Sequence, residues 1–188
     1  MLAQFMGTLG LRLAMWQSDR YSAYGVTILL PFRSSSVREQ VLKNVVAALA
    51  YIARYNAGRS ERLRRDLRGI LVGLTPPGSR AYYADDLRLC VLNGDVARHG
   101  HPGLLAAAIA HEATHARLRC FPYDTAAQRF RVERLCKRAE IDLVSRIPGG
   151  DRFVGLLRQE LASLTESMFT DDAINKRRQA RTTADADC

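Results

Sequence analysis

Apolar and polar positions alternate along the chain in blocks that read as separate elements. YGVTILLPF, Tyr24 to Phe32, is a β-branched and aliphatic run closed by Pro31 and predicts a strand. The next segment changes period. Val37, Val41, Val45, Ala48 and Ile52 recur at helical spacing, Ser36 with Glu39 has the form of a capping box, and Gly58 offers a stop. RGILVGLTPPG, Arg68 to Gly78, predicts a buried strand ending in a Pro-Pro-Gly turn, and a further strand is expected near Leu87 to Leu92, closed by Asn93-Gly94.

From there the pattern is helical. Pro102 suits a first helical position, and the helix is expected to run to about Arg119. Thr125 with Gln128 makes a second capping box and opens a helix to about Ile147. PGGD interrupts it, and Asp151 is expected to cap a last helix reaching roughly Met168. The order is strand, helix, two strands, then three helices, an α+β arrangement. Residues 1–170 are expected to form one domain. The polar and charged stretch 171–188 is expected to be a disordered basic tail.

Composition narrows the class. With 188 residues, 47% of them apolar and 25% charged, the chain can bury a core as an ordinary globular protein. No apolar run approaches the roughly 20 residues of a membrane-spanning helix. MLAQFMGTLGL lacks a positive region ahead of its apolar part, so it reads as a first strand or helix packing on the core and not as a signal peptide. Cys90, Cys120, Cys136 and Cys188 form no CxxC pair, and reduced thiols in a cytoplasmic protein are expected. The formal charge of +9 is carried mainly by arginine, clustered at Arg59 to Arg68 and at Lys176 to Arg181. A solvated basic face accounts for these clusters. Nucleic acid is a possible but less favoured partner, because no nucleic-acid-binding motif accompanies the charge.

Chemistry concentrates in AAAIAHEATHARL, Ala106 to Leu118. Residues four apart share a helix face, so His111 and His115 project side by side and can hold one metal ion. Leu104, Ala108 and Leu118 share that face, which turns the histidines inward, and the neighbouring alanines leave room. Two buried imidazoles without partners would be costly, and a metal removes the cost. Glu112 is rotated about 100° from His111, suited to reach a water rather than to join the imidazoles as an in-line ligand.

On these residues the chain resembles the zincin metallopeptidases, whose HExxH helix HEATH matches. The likeness spans roughly Gly69 to Ile147. Leu118 and Phe121 stand where a metzincin has its glycine and third histidine, so the sequence is closer to the gluzincin pattern, with a glutamate on the next helix. It is also similar to minimal bacterial domains of the ImmA/IrrE kind, with Pro148 placed after the ligand helix. The resemblance implies a small zincin-like α+β domain: a short mixed sheet packed on a long helix, then the HExxH helix and two further helices.

The resemblance also implies Zn2+ held by His111, His115 and a glutamate, with Glu112 as general base in the hydrolysis of a peptide or protein substrate. Glu133, 18 residues after His115, is the preferred third ligand, and Glu140 is the alternative. Whichever does not bind the metal could orient a histidine. His99 and His101 lie just before the helix and could approach a substrate or cap the helix. Tyr82, Tyr83 and Tyr123 are candidates to hydrogen-bond an oxyanion, and the segment Leu87 to Leu92 is the candidate edge for a substrate strand. Two rivals remain: a zinc-containing regulatory or binding module without proteolysis, and a basic nucleic-acid binder in which HEATH is accidental.

Overall fold

A computed structural model describes residues 2–76, 78–119 and 124–172. Five strands form one mixed sheet: β1 (Asp19–Ala23), β2 (Val26–Leu30), β3 (Gly69–Gly73), β4 (Ala81–Ala84) and β5 (Leu89–Asn93), in the order β1-β2-β3-β5-β4. The pairs β2–β3 and β3–β5 are parallel, while β1 and β4 run antiparallel to their neighbours at the two edges. Seven α-helices complete the described chain: α1 (Leu2–Gln17), α2 (Ser35–Tyr55), α3 (Ala57–Asp66), α4 (Gly94–His99), α5 (Pro102–Leu118), α6 (Ala126–Val144) and α7 (Asp151–Ser163). None of the helices among the described residues is long and apolar enough to cross a membrane.

The central strands read as unbroken apolar runs because both of their faces are covered. Ile28, Leu30, Ile70, Val72, Cys90 and Leu92 point to one side, against Val41, Val45, Ala48 and Ile52 of α2 and Leu105 and Ile109 of α5. Leu29, Leu71, Leu89 and Val91 point to the other, against Leu11, Ala14 and Met15 of α1. The apolar N-terminal stretch is thus a helix on the second face of the sheet. A third cluster, Ala107, Val144, Val154 and Leu157, joins α5, α6 and α7.

α5 is buried nearly all round, and its residues are small for that reason. Gly103, Ala106, Ala107, Ala108, Ala110, Ala113 and Ala116 let neighbouring elements approach its backbone closely. Its first turn is fixed by Pro102 and by His101, whose Nδ1 accepts from Gly103 N at 3.0 Å. α6 opens with the expected box: Gln128 N donates to Thr125 Oγ1 at 3.2 Å, and Thr125 N donates to Gln128 Oε1 at 3.0 Å. Its end at Val144 falls three residues short of the expected Ile147.

Several expectations are corrected. The Ser36–Glu39 box does not form, because the helix already starts at Ser35 with Ser34 at its N-cap. Gly58 does not end α2. Asn56, at φ −153° and ψ 75°, ends it and caps α3 by accepting from Arg59 N at 3.0 Å. Asn93-Gly94 is not a turn between strands, since Asn93 caps α4 by accepting from Asp95 N and Val96 N, both at 3.0 Å. Asp151 is the first residue of α7 rather than its cap, which is Gly150, and the helix stops at Ser163. Strands β1 and β4 and helices α3 and α4 were not expected. β1 and β2 are joined by the two-residue turn Tyr24-Gly25, with φ of 53° and 74°, the positive pair that a type I′ hairpin requires. Of the expected tail, Asp171 and Asp172 are described, and Asp171 pairs with Arg129 at 2.6 Å. Residues 173–188 lie outside the described residues.

Candidate metal centre

The spacing of α5 puts His111 and His115 together as expected. Their Nε2 atoms are 3.1 Å apart, the rings tilted by 54°. Across from them runs α6. It carries Glu133, Cys136 and Glu140 at i, i+3 and i+7, one helix face, and that face meets α5.

Glu133 and Glu140 take different places. The Glu133 carboxylate spans both imidazoles, Oε1 3.3 Å from His111 Nε2 and Oε2 3.4 Å from His115 Nε2. Glu140 stands behind His111, with Oε1 2.6 Å from Nδ1, the ring nitrogen turned away from the cluster. The approach is off the line of a ring N–H, so Nδ1 makes no well-directed hydrogen bond. Glu140, the alternative third ligand of the sequence analysis, thus faces His111 alone of the two histidines, whereas Glu133 faces both. Cys136 belongs to the cluster instead: its sulfur and a ring nitrogen from each histidine all lie within 4.8 Å of one another.

The spacings suit one ion. Ligand atoms 2.0–2.1 Å from a tetrahedral zinc stand roughly 3.3 Å apart; the two Nε2 atoms are 3.1 Å apart, and each faces its own oxygen of the Glu133 carboxylate, at 3.3 and 3.4 Å. Charge points the same way. Burial alone would lower the His111 pKa, but the carboxylates of Glu133 and Glu140 outweigh it and raise the imidazole to about 10. Burial would likewise raise Glu133, yet hydrogen bonding to His111 and His115 holds it below the ordinary carboxylate range. The carboxylates thus favour positive charge at this point.

Behind Glu140 the charges alternate. Lys137 Nζ lies 3.2 Å from Glu140 Oε1 and 2.8 Å from Glu160 Oε2. Arg80 Nη2 lies 3.5 Å from Glu140 Oε2 and 2.7 Å from Glu160 Oε2. Burial is the largest influence on Glu140 and would raise its pKa, but the contact with His111 and these two cations together hold it below the ordinary carboxylate range. On the outer side of α5, Arg59 reaches Thr114 Oγ1 at 3.4 Å and Asp142 at 3.6 Å, tying α3 to α5 and to α6. One member of the basic Arg59–Arg68 cluster is therefore turned inward. The second cluster, Lys176 to Arg181, lies outside the described residues.

The site opens on a cavity of about 640 Å³, lined by His111, Glu112, His115 and Glu133 on one side and by the Ser79–Tyr83 segment on the other. Glu112 is buried, and desolvation raises its pKa above the usual carboxylate range against the pull of the two histidines. Tyr83 lines the same cavity, its hydroxyl buried near Arg119, and burial raises its pKa against the pull of that guanidinium. Tyr82, its neighbour on the strand, packs its side chain with the opposite face of the sheet. Tyr123 lies outside the described residues.

The edge of the sheet beside the cavity is β4, not the expected Leu87–Leu92 segment, whose strand β5 is enclosed between β3 and β4. His99, at the end of α4, lines a separate cleft with Ser36, Gln40 and Asn44, and His101 caps α5, so neither joins the metal cluster. The sequence reading did not place Cys136 among the metal donors. The available signal was its position three residues after Glu133, on the same helix face.

Compared with protein-family profiles, with curated proteins and with solved structures, the chain matches none.

Proposed function

We propose that this protein is a zinc-dependent metallopeptidase with a zincin-like centre, the metal held by His111, His115 and Glu133. The observation that carries this reading is the Glu133 carboxylate lying across both imidazole Nε2 atoms at 3.3 and 3.4 Å, with a buried Glu112 lining the same cavity. Bound there, zinc would supply Lewis acidity that polarises a peptide carbonyl and makes a water acidic enough to deprotonate near neutral pH.

The remaining chemistry falls to the chain. Glu112 accepts the proton of the attacking water and passes it to the leaving amine. Its raised pKa brings it closer to the working pH of a group that must both take and give a proton. Tyr83, whose hydroxyl lies at the cavity beside Arg119, offers it to the carbonyl oxygen as that atom gains charge. Glu140 orients His111 from behind through Nδ1, so that Nε2 faces the metal. An extended peptide would add to the open edge of β4, which borders the cavity.

The test is metal analysis of the purified chain beside peptide hydrolysis. About one zinc per chain, lost in His115→Ala, with hydrolysis abolished in a Glu112→Gln variant that still holds its zinc, is the expected result. A Glu112→Gln variant that cleaves as fast as the parent overturns the assigned base. Absence of zinc from the folded parent after zinc is supplied overturns the site.

A further inference from the structure

The centre has one donor more than a hydrolytic site needs. We propose that Cys136 is a fourth protein ligand, so that the metal rests closed by His111, His115, Glu133 and a thiolate, and the position a water would take is filled until Cys136 leaves it. The inference rests on the metal-centre reading above and adds a resting state to it.

Cys136 is wholly buried, and it stands one turn beyond Glu133 on the face of α6 that meets the histidines. Its Sγ lies within 4.8 Å of a ring nitrogen of each histidine. With zinc–sulfur and zinc–nitrogen bonds of about 2.3 and 2.0–2.1 Å, bound sulfur and nitrogen stand roughly 3.5 Å apart. Each sulfur–nitrogen separation therefore has at most about 1.3 Å to close, a displacement that drawing α5 and α6 together on an ion would supply. Sulfur bonds to the metal as the thiolate, its proton leaving to solvent. The donor set then carries two negative charges, from Glu133 and Cys136, and neutralises a divalent ion.

The consequence follows from coordination number. Four protein ligands make the closed arrangement of structural zinc sites, whereas hydrolysis needs three and a free position. With sulfur in place the peptidase is latent, and displacing Cys136 opens the position next to Glu112.

Cobalt(II) reports this directly, because a cobalt–thiolate bond adds a charge-transfer absorption in the near ultraviolet that nitrogen and oxygen ligands do not give. The metal-free full-length chain is titrated with cobalt(II), as the parent and as Cys136→Ala. The expected result is visible cobalt absorption in both proteins and the charge-transfer band in the parent alone. Competition with a chromophoric chelator should then show zinc held at least tenfold more weakly by Cys136→Ala. Hydrolysis by that variant should rise above the parent's. A parent that takes up cobalt without the band, or a band that survives in Cys136→Ala, overturns the thiolate ligand and leaves the three-ligand centre standing. A parent that takes up no cobalt at all overturns the metal centre, and this inference with it.

Discussion

Exchanging the two glutamates of α6 for glutamine, one at a time, separates a ligand from the group behind it. Glu133 touches both Nε2 atoms, and Glu140 touches only the Nδ1 of His111. Structural zinc sites with four ligands bind with about 10–16 kcal/mol, roughly 3 kcal/mol per ligand, so Glu133→Gln should weaken zinc on the order of a hundred- to a thousandfold. A carboxylate orienting a ligand histidine is worth about 10–100-fold. Glutamine at 140 keeps an oxygen that can face Nδ1, which puts Glu140→Gln near tenfold and Glu140→Ala near a hundredfold. Folding should survive, since Lys137 and Arg80 both keep Glu160 when Glu140 loses its charge. The cost of that loss is about 1–3 kcal/mol, read from thermal unfolding of the metal-free proteins. Zinc affinity is measured by chelator competition at fixed pH. If Glu140→Gln weakens zinc more than Glu133→Gln does, the ligand and its support have been assigned the wrong way round.

Two further outcomes concern the helices that carry the site. His101 caps α5 through an unprotonated Nδ1, and burial, with Arg152 nearby, lowers its pKa below the ordinary imidazole value of 6.5. A base with a depressed folded pKa contributes stability that is present above 6.5 and lost as pH falls through the folded value. His101→Asn keeps a capping oxygen without that titration, so its unfolding midpoint should change less than the parent's between pH 7 and pH 5. Equal pH slopes in the two proteins would refute the cap's role, which is worth about 1 kcal/mol. Gly150 closes the passage from α6 to α7, and a Cβ there would stand 2.1 Å from the Val144 carbonyl oxygen. Gly150→Ala should destabilise by about 3 kcal/mol or more in urea unfolding, because backbone rather than a pliant side chain must yield.

The elements legible in the sequence are those whose cause lies within a turn of themselves. Pro102 marks the start of α5, the Thr125–Gln128 box marks the start of α6, and the apolar run at β3 survives as a strand because nothing local competes with it. Where several residues could do the same local job, the pattern misleads. Ser34, Ser35 and Ser36 can all cap a helix, and the chain uses the first. β1 was hidden for a different reason. Its residues, DRYSA, are largely exposed at a sheet edge, only Tyr21 and Ala23 turn toward the core, and its turn is Tyr24-Gly25 rather than the usual Asn-Gly. β4 is four residues long, so tertiary pairing with β5 makes it a strand more than its own propensity does.

The site divides along the same line. His111, Glu112 and His115 were legible because a single helix sets their geometry. The choice between Glu133 and Glu140 was not settled by period, since residues seven apart share a face. Direction is what gives the two glutamates different places. The passage from α5 to α6, residues 119–125, is short, and short helix connections make antiparallel neighbours. Val144 accordingly packs near Ala107, a full turn before His111. In that register a residue later on α6 meets an earlier level of α5, so Glu140 arrives on the N-terminal side of His111 while Glu133 falls level with the gap between the two histidines. Cys136 lies between those levels on the same face, and the antiparallel register that separates the glutamates also delivers the sulfur to the imidazoles.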